Sequence, residues 1–412
     1  MTQVRPRGPE CPWLVQPELE EHVIRSLAAE GFRVGPNGIG KAGGEDCGMF
    51  LKNRWYLAAY SREVTRLEPL ARTFLNEKVV LFRTRAGEAL ALEDRCPHRF
   101  APLSVGRMTH EGIACGYHGM EFGRGGKCLN NPTQPNEKLH PNACVRAYPL
   151  EERHGMIWIW MGLATDADAN LIPDWWYYDH PDWRADTQYM HVKGNYLLVV
   201  DNLLDLSHIN FVHEGILGDP ELADRTTSKT ERTDRGLVDR WFVPDAPMVA
   251  GWAETIRDPW AQGNVDFWID MHWEPASNLM LDVGVMPVGG KREQGLQLLS
   301  MDAITPETET TTHYFYGTSL SFHNGDTTAI DFWRKAQTFA FEQDRRMIEA
   351  VQSNMGSDWD ILTMTPVINK GDRAALQARR IMRKLVLEET GSTDQLEVDS
   401  EDSLSQIAPV SA

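Results

Sequence analysis

No apolar run in this 412-residue chain approaches the roughly 20 residues that a membrane helix needs. The opening stretch, MTQVRPRGPECPWLVQPELEE, lacks the continuous apolar core of a secretory leader, and a cytoplasmic location is the expectation. Cysteine is scarce. Six residues (Cys11, Cys47, Cys96, Cys115, Cys128 and Cys144) are too few to staple a chain of this length with disulfides. Basic side chains are also in deficit, 41 against 59 acidic ones, and the net charge of −18 argues against a nucleic-acid surface. That acidity suits solubility and a partner with a basic docking face. A hydrophobic content of 42% with 24% charged residues is that of a soluble globular protein, and the length calls for two domains plus tails.

Residues 1–48 read as an appended extension. Pro17–Glu30 has the spacing of a short amphipathic helix, with Val23, Ile24, Leu27 and Ala28 on one side. The glycine-rich Gly35–Gly48 reads as a linker, since no strand precedes it and no GK[ST] follows. Residues 49–165 are rich in strand patterns, including a hairpin over Lys78–Asp94 and the alternating GMIWIWMG at Gly155–Gly162. Residues 166–390 combine strand-like segments (TQYMHVKGNY, VDFWIDMHWE, LMLDVGVMPV, GLQLLSMDAIT, TTTHYFYGTSL) with a helix-like LLVVDNLLDLSHINFVH. Two more helices are expected at Thr327–Asn354 and Arg373–Glu389. The acidic, polar residues 391–412 read as disordered. The expected class is α+β: a small antiparallel β domain, then a larger domain with a curved antiparallel sheet and covering helices.

Two cysteines stand in metal spacing. CPHRFAPLS offers Cys96 and His98, and CGYHG offers Cys115 and His118. A tetrahedral Cys₂His₂ zinc site can be built from such ligands, but zinc fingers usually pair cysteine with cysteine and histidine with histidine. Here each loop supplies one of each, which suits a two-iron cluster with both thiolates on one iron and both imidazoles on the other. The remaining four cysteines read as small apolar groups.

A second set lies in DNLLDLSHINFVHEG. On a regular helix Asp205 and His208 share a face, whereas His213 is turned away, so the helix must end or distort before His213 for both imidazoles to meet one ion. Gly215 is a candidate helix stop. Two histidines near a helix end are by themselves more often ordinary surface or core residues than ligands.

The two cysteine-histidine loops, together with YPLEERHGMIWIWMG, resemble the Rieske [2Fe-2S] motif. DNLLDLSHINFVH is similar to the mononuclear-iron motif of the Rieske non-haem iron oxygenases, in the vanillate demethylase, phthalate and phenoxybenzoate dioxygenase branch. Met120, where the ring-dihydroxylating branch usually has tryptophan, points to the same branch. The likeness runs from about Phe50 to Glu388. It implies a [2Fe-2S] cluster on Cys96, His98, Cys115 and His118, and a mononuclear Fe(II) on His208, His213 and an aspartate of a late helix, for which Asp344 in FAFEQDRRMIEAVQ is the match. It also implies that Asp205 bridges electrons from His118 of one subunit to His208 of its neighbour in a homotrimeric ring, with Asn202 assisting near the iron. The implied activity is that of a terminal oxygenase. Using O₂ and NAD(P)H electrons from a separate flavin and iron-sulfur reductase, it would hydroxylate, O-demethylate or ether-cleave a small aromatic, carboxylated substrate. Ring cis-dihydroxylation is the variant within the family. An electron carrier or a zinc-stabilised binding protein are the competing classes; a carrier would leave the second domain without a purpose, and a zinc protein would leave the helix histidines without one. No membrane or nucleic-acid partner is expected. Trp252, Trp260, Phe267, Trp268, Trp273 and Trp333 are candidates for an aromatic pocket or for sheet core. Lys291 and Arg292 are candidates to pair a substrate carboxylate or to sit in a turn.

Overall fold

The computed structural model describes residues 32–35, 38–41, 50–213, 225–256, 258–322, 327–358, 360–364 and 366–391. The amphipathic segment at Pro17–Glu30, Cys11, Cys47, Gly215 and all but the first residue of the acidic tail lie outside them. Where a linker was expected, β1 (Phe32–Gly35) pairs antiparallel with β2 (Gly38–Lys41). Three glycines (Gly35, Gly38 and Gly40) lie in these two strands, and without side chains at those positions the backbones can approach closely.

Three small antiparallel sheets form the first unit. β4 (Leu70–Phe74), β5 (Glu77–Arg83) and β6 (Ala89–Glu93) form one with β11 (Ala147–Tyr148). β3 (Trp55–Tyr60), β12 (Leu150–Arg153) and β13 (Met156–Trp160) form the second. β7 (Arg107–Met108), β8 (Gly112–Ala114), β9 (Glu121–Gly123) and β10 (Cys128–Asn130) form the third. The expected hairpin is β5–β6, turning through Gly87 at φ +91, a conformation that favours glycine.

The second unit is built on an antiparallel sheet. Its main path runs β14 (Arg184–Ala185), β21 (Thr311–Leu320), β20 (Leu296–Thr308), β19 (Asn278–Pro287), β18 (Val265–Glu274), β17 (Leu237–Ala246), β16 (Thr227–Arg232), and β15 (Gln188–Val192) also pairs with β21. Helices α1 (Tyr196–Leu204), α2 (Ile209–Val212), α3 (Ala250–Thr255), α4 (Thr327–Met355) and α5 (Arg373–Thr390) complete it. This is the expected α+β architecture. Strands β4, β16 and β17 were not anticipated. β16 is a polar edge strand, and Asp239, Pro244 and Asp245 interrupt the apolar alternation of β17.

Strand alternation gives the large sheet two apolar faces. On one, Leu299, Met301, Ala303 and Phe315 pack against Trp55, Leu57, Tyr60 and Trp158 of the first unit. On the other, Leu237, Met271, Leu279, Ile304, Tyr314 and Tyr316 pack with α1, α5 and Ile348 of α4. Both candidate metal sets lie at the rim of these packed layers, one on the loops of the third small sheet and one beneath α4.

Candidate functional site

Two loops with the same turn geometry carry the first set. In each, the cysteine N–H donates to the carbonyl five residues on (Cys96 to Ala101, 2.9 Å; Cys115 to Met120, 2.8 Å), and the residue four on donates back to the cysteine carbonyl (Phe100 and Gly119, both 2.9 Å). That fourth residue is left-handed in both, Phe100 at φ +60 and Gly119 at φ +77. Asp94 braces the first loop by accepting from the Ser104 N–H (2.7 Å) and hydroxyl (2.6 Å).

The two thiols are buried, packed on Val80, Phe82, Leu103, Ile113 and Phe122. The imidazoles point outward, His98 exposed and His118 half-buried, with ring centroids 4.5 Å apart. This asymmetry matches a cluster with a buried thiolate iron and a surface imidazole iron. Burial pushes the Cys96 thiol up to about 11, and the adjacent Cys115 adds to the shift. Two bare thiolates would repel here, so the donor set calls for a cationic partner.

The second set depends on a broken helix. Helix α1 stops at Leu204; Asp205 leaves helical geometry (φ −105, ψ 84), a 3-10 turn spans Leu206–His208, and α2 ends before His213 (φ −113, ψ 27). The two imidazoles are thereby brought face to edge, centroids 5.2 Å apart. From α4, Asp344 enters between them: Oδ1 is 3.5 Å from His208 Nε2 and Oδ2 is 3.2 Å from His213 Nε2. One ligand atom from each of the three lies within 4.8 Å of the others.

The tautomers are set from behind. His208 Nδ1–H donates to the Asp205 carbonyl, and His213 Nδ1–H donates to Gln343 Oε1 at 3.0 Å, so both Nε2 lone pairs face the carboxylate. Burial depresses His213, but the Asp344 carboxylate, which the protonated ring would hydrogen-bond through Nε2–H, outweighs it and raises its pKa overall. Asn202 Nδ2 donates to Asp344 Oδ1 at 3.2 Å. Two neutral imidazoles and one carboxylate suit Fe(II) with open positions. Glu342 and Glu349, which flank Asp344 in sequence, pair instead with Arg345.

The Asp205 carboxylate does not contact His208 within the chain. Its Oδ1 accepts from the Ser207 N–H (3.0 Å) and hydroxyl (2.6 Å), because Asp205 caps the 3-10 turn rather than sharing a helical face with His208. Gly371 makes room for it: a Cβ there would stand 2.6 Å from Oδ1. Asp205 and His208 both open onto a surface pocket of about 290 Å³ that also includes Asn202, Asp201, Val367, Ile368, Asp372 and Arg379.

Lys291 and Arg292 sit in the turn between β19 and β20, Lys291 exposed as the cap of a 3-10 turn and Arg292 as its first residue. Arg292 binds Asp270 (2.8 and 3.1 Å) and lies over Trp268, both on the sheet face away from the helices. Strand alternation decides this, since the residues flanking Asp270 are Ile269 and Met271, which pack with the helices. Trp252, Phe267 and Trp333 form one cluster, whereas Trp273 is closed core. Sequence reasoning missed Gln343, which orients His213, and Arg379; buried at 4% exposure, Arg379 binds Asp201 on α1 and Asp360.

A cysteine-histidine cluster site and a two-histidine, one-carboxylate site in one chain define an iron oxygenase that receives its electrons one at a time. The Rieske [2Fe-2S] domain matches residues 54–149, and the vanillate O-demethylase oxygenase C-terminal domain matches residues 192–388. A putative toluene-4-sulfonate monooxygenase system iron-sulfur subunit from Comamonas testosteroni is 40% identical over 84% of this chain and 99% of its own length. The oxygenase component of dicamba O-demethylase from Stenotrophomonas maltophilia is 34% identical over 82% of this chain and 98% of its own. The crystal structure of dicamba monooxygenase bound to dicamba matches with a TM-score of 0.76 at 33% identity, covering 83% of this chain and 99% of that one. The chain belongs to the Rieske non-haem iron oxygenases, as an oxygenase component carrying a [2Fe-2S] cluster and a mononuclear iron.

Proposed function

We propose that this chain is the terminal oxygenase of a multicomponent system that monooxygenates or O-demethylates a small aromatic substrate. In this reading Cys96, Cys115, His98 and His118 hold the cluster, and His208, His213 and Asp344 hold the iron. A separate flavin and iron-sulfur reductase supplies electrons from NAD(P)H. Iron, when bound, supplies the reductive activation of O₂. The chain's own residues do the rest. Asp205 and Gln343 keep both imidazoles in the ligating tautomer, Asn202 orients the carboxylate, and the apolar wall of the sheet excludes water. The convergence of His208, His213 and Asp344 within 4.8 Å carries this reading. Relatives named as monooxygenase and O-demethylase components favour these reactions over ring cis-dihydroxylation.

A head-to-tail homotrimer is part of the proposal. The cluster tip exposes Phe100, Val105 and Tyr117 beside Arg95, Arg99 and Arg107. The pocket outside His208 exposes Val367 and Ile368 beside Asp205 and Asp372, the Asp201 carboxylate there being taken up by Arg379. Apolar and basic therefore complement apolar and acidic, and a heterologous contact of this kind closes into a ring when the rotation allows. Among the described residues Oδ2 of Asp205 accepts no hydrogen bond, and in this reading it is the oxygen that meets His118 of the next subunit.

The test is His208→Ala. The brown chromophore is expected to persist while iron beyond the cluster and product formation are both lost. Product formation by that variant sinks the assignment of the iron site.

A further inference from the structure

The outward side of α4 carries an apolar seam that no described element covers. Phe339, Met347 and Val351 are 54%, 55% and 37% exposed, and Ala350 is exposed beside them. Together with Gln343 they recur every three to four residues, the spacing that lines side chains along one side of a helix. A solvated helix face is ordinarily polar, and an apolar strip of about three turns has the pattern of a face that packs on another helix. Gln343 lies within the seam, and its Oε1 is the group that orients His213.

The margin of the seam is basic. Lys335 and Arg346 are exposed on the same side of α4 and make no ion pair among the described residues. The acids around them are already bound, Asp331 by Arg334, and Glu342 and Glu349 by Arg345. In a chain with a net charge of −18 such a margin is uncommon. Its complement is a segment that is apolar on one side and acidic around it.

The N-terminal extension contains one. In PELEEHVIRSLAAE, Leu19, Val23, Ile24 and Leu27 recur at helical spacing, with Glu18, Glu20, Glu21 and Glu30 and a single arginine around them. A helix this short is marginal alone in water, so it needs a surface to fold on. The chain also arrives at the right place. Phe50, where the first unit begins, meets Tyr196 with ring centroids 6.1 Å apart, and the neighbouring Asn195 N–H donates to Gln352 Oε1 at 2.8 Å. Phe50, Ile348 and Met355 belong to one packed cluster. The extension therefore joins the body of the protein beside the Val351 end of the seam. From there to Phe339 is about 18 Å along the helix. The residues between Lys41 and Phe50 alone reach about 26 Å when extended.

We infer that Pro17–Glu30 docks as a helix on this face of α4, its apolar side on Phe339, Met347 and Val351 and its glutamates toward Lys335 and Arg346. Burial of large apolar side chains on both partners drives the contact, and the charges set its direction. The extension is then a strap along the helix that carries Asp344, and it closes solvent off from the Gln343–His213 hydrogen bond.

The test is hydrogen–deuterium exchange of the full-length protein, read by peptide mass, with cluster and iron contents measured first in every variant. Amides of residues 18–30 are expected to exchange about tenfold or more slowly than in an unfolded chain. Phe339→Glu combined with Met347→Glu is expected to return them to the unfolded rate; both side chains are more than half exposed, so the core is spared. Ile24→Glu combined with Leu27→Glu, which leaves α4 untouched, is expected to do the same and to speed sulfoxidation of Met347 by chloramine T about tenfold. Exchange of the wild-type segment at the unfolded rate, protection that survives the α4 substitutions, or an unchanged rate of Met347 oxidation overturns the inference. So does loss of the oligomer in the α4 variant with the segment's exchange unaltered, which would assign the face to a second copy of the chain.

Discussion

Asn202 and Asp344 are joined by a 3.2 Å hydrogen bond from the Asn202 amide to Asp344 Oδ1. That bond ties the helix that leads into the two histidines to the helix that brings the third ligand. It leaves Oδ2, near His213, as the less encumbered oxygen.

Removing the amide frees the carboxylate to rotate. Asn202→Ala is expected to weaken iron binding by about 10- to 100-fold while the cluster stays intact, the usual cost of losing an outer-shell partner. Iron titration followed against cluster absorbance checks this.

Asp205→Asn keeps the size of the side chain and the Ser207 contacts but removes the charge. Both metals are expected to remain. Reoxidation of the reduced cluster, with substrate and O₂ present, is expected to slow by about 100-fold. Ser207→Ala, which removes only the local hydroxyl contact, is expected to keep the fast rate. Stopped-flow absorbance distinguishes the two, and rapid reoxidation in Asp205→Asn contradicts the bridge.

Arg379 binds Asp201 with three contacts of 2.6 to 2.9 Å and reaches Asp360 at 3.4 Å. Burial raises the Asp201 pKa against the attraction of Arg379. Arg379→Met would leave this carboxylate without its partner, and a loss of on the order of 3 kcal/mol is expected by denaturant unfolding. Because Asp201 adjoins Asn202, iron affinity is expected to fall in parallel.

His313 lies between the two units, where its Nε2–H donates to the Thr73 carbonyl (3.0 Å) and Nδ1 accepts from the Tyr189 hydroxyl (2.9 Å). Burial, followed by the nearby Arg72, lowers its pKa to about 4, so the folded protein keeps it neutral while the unfolded chain takes up a proton near pH 6.5. The unfolded state therefore binds more protons between these values, and stability is expected to fall as pH drops from about 6.5 to about 4. The buried Asp302, raised to about 7, acts in the opposite sense. The difference between wild type and His313→Gln isolates the histidine: the variant is expected to lose less stability over this window. Urea midpoints at several pH values provide the measurement.

The cluster ligands were legible because covalent spacing alone puts a cysteine and a histidine into each loop. His208 and His213 were legible as a pair only on condition that the helix broke, and Asp205 supplies that break by capping a 3-10 turn. Asp344 was singled out by the resemblance, as an aspartate of a late helix; what sets it physically apart from Glu342 and Glu349 is burial, which depends on how α4 lies on the sheet. Gln343 and Arg379 left no local signal. Their roles arise from contacts between elements far apart in sequence, and of the two readings open for Lys291–Arg292 the turn is the one strand register selects.

The Glu389 carboxylate accepts from the Lys52 N–H (2.6 Å) and the Asn53 N–H (2.7 Å), so the last turn of α5 clasps the chain just before β3. The close of the second unit is in effect buckled to the opening of the first. Cutting the chain before Glu389 should unfasten both units at once.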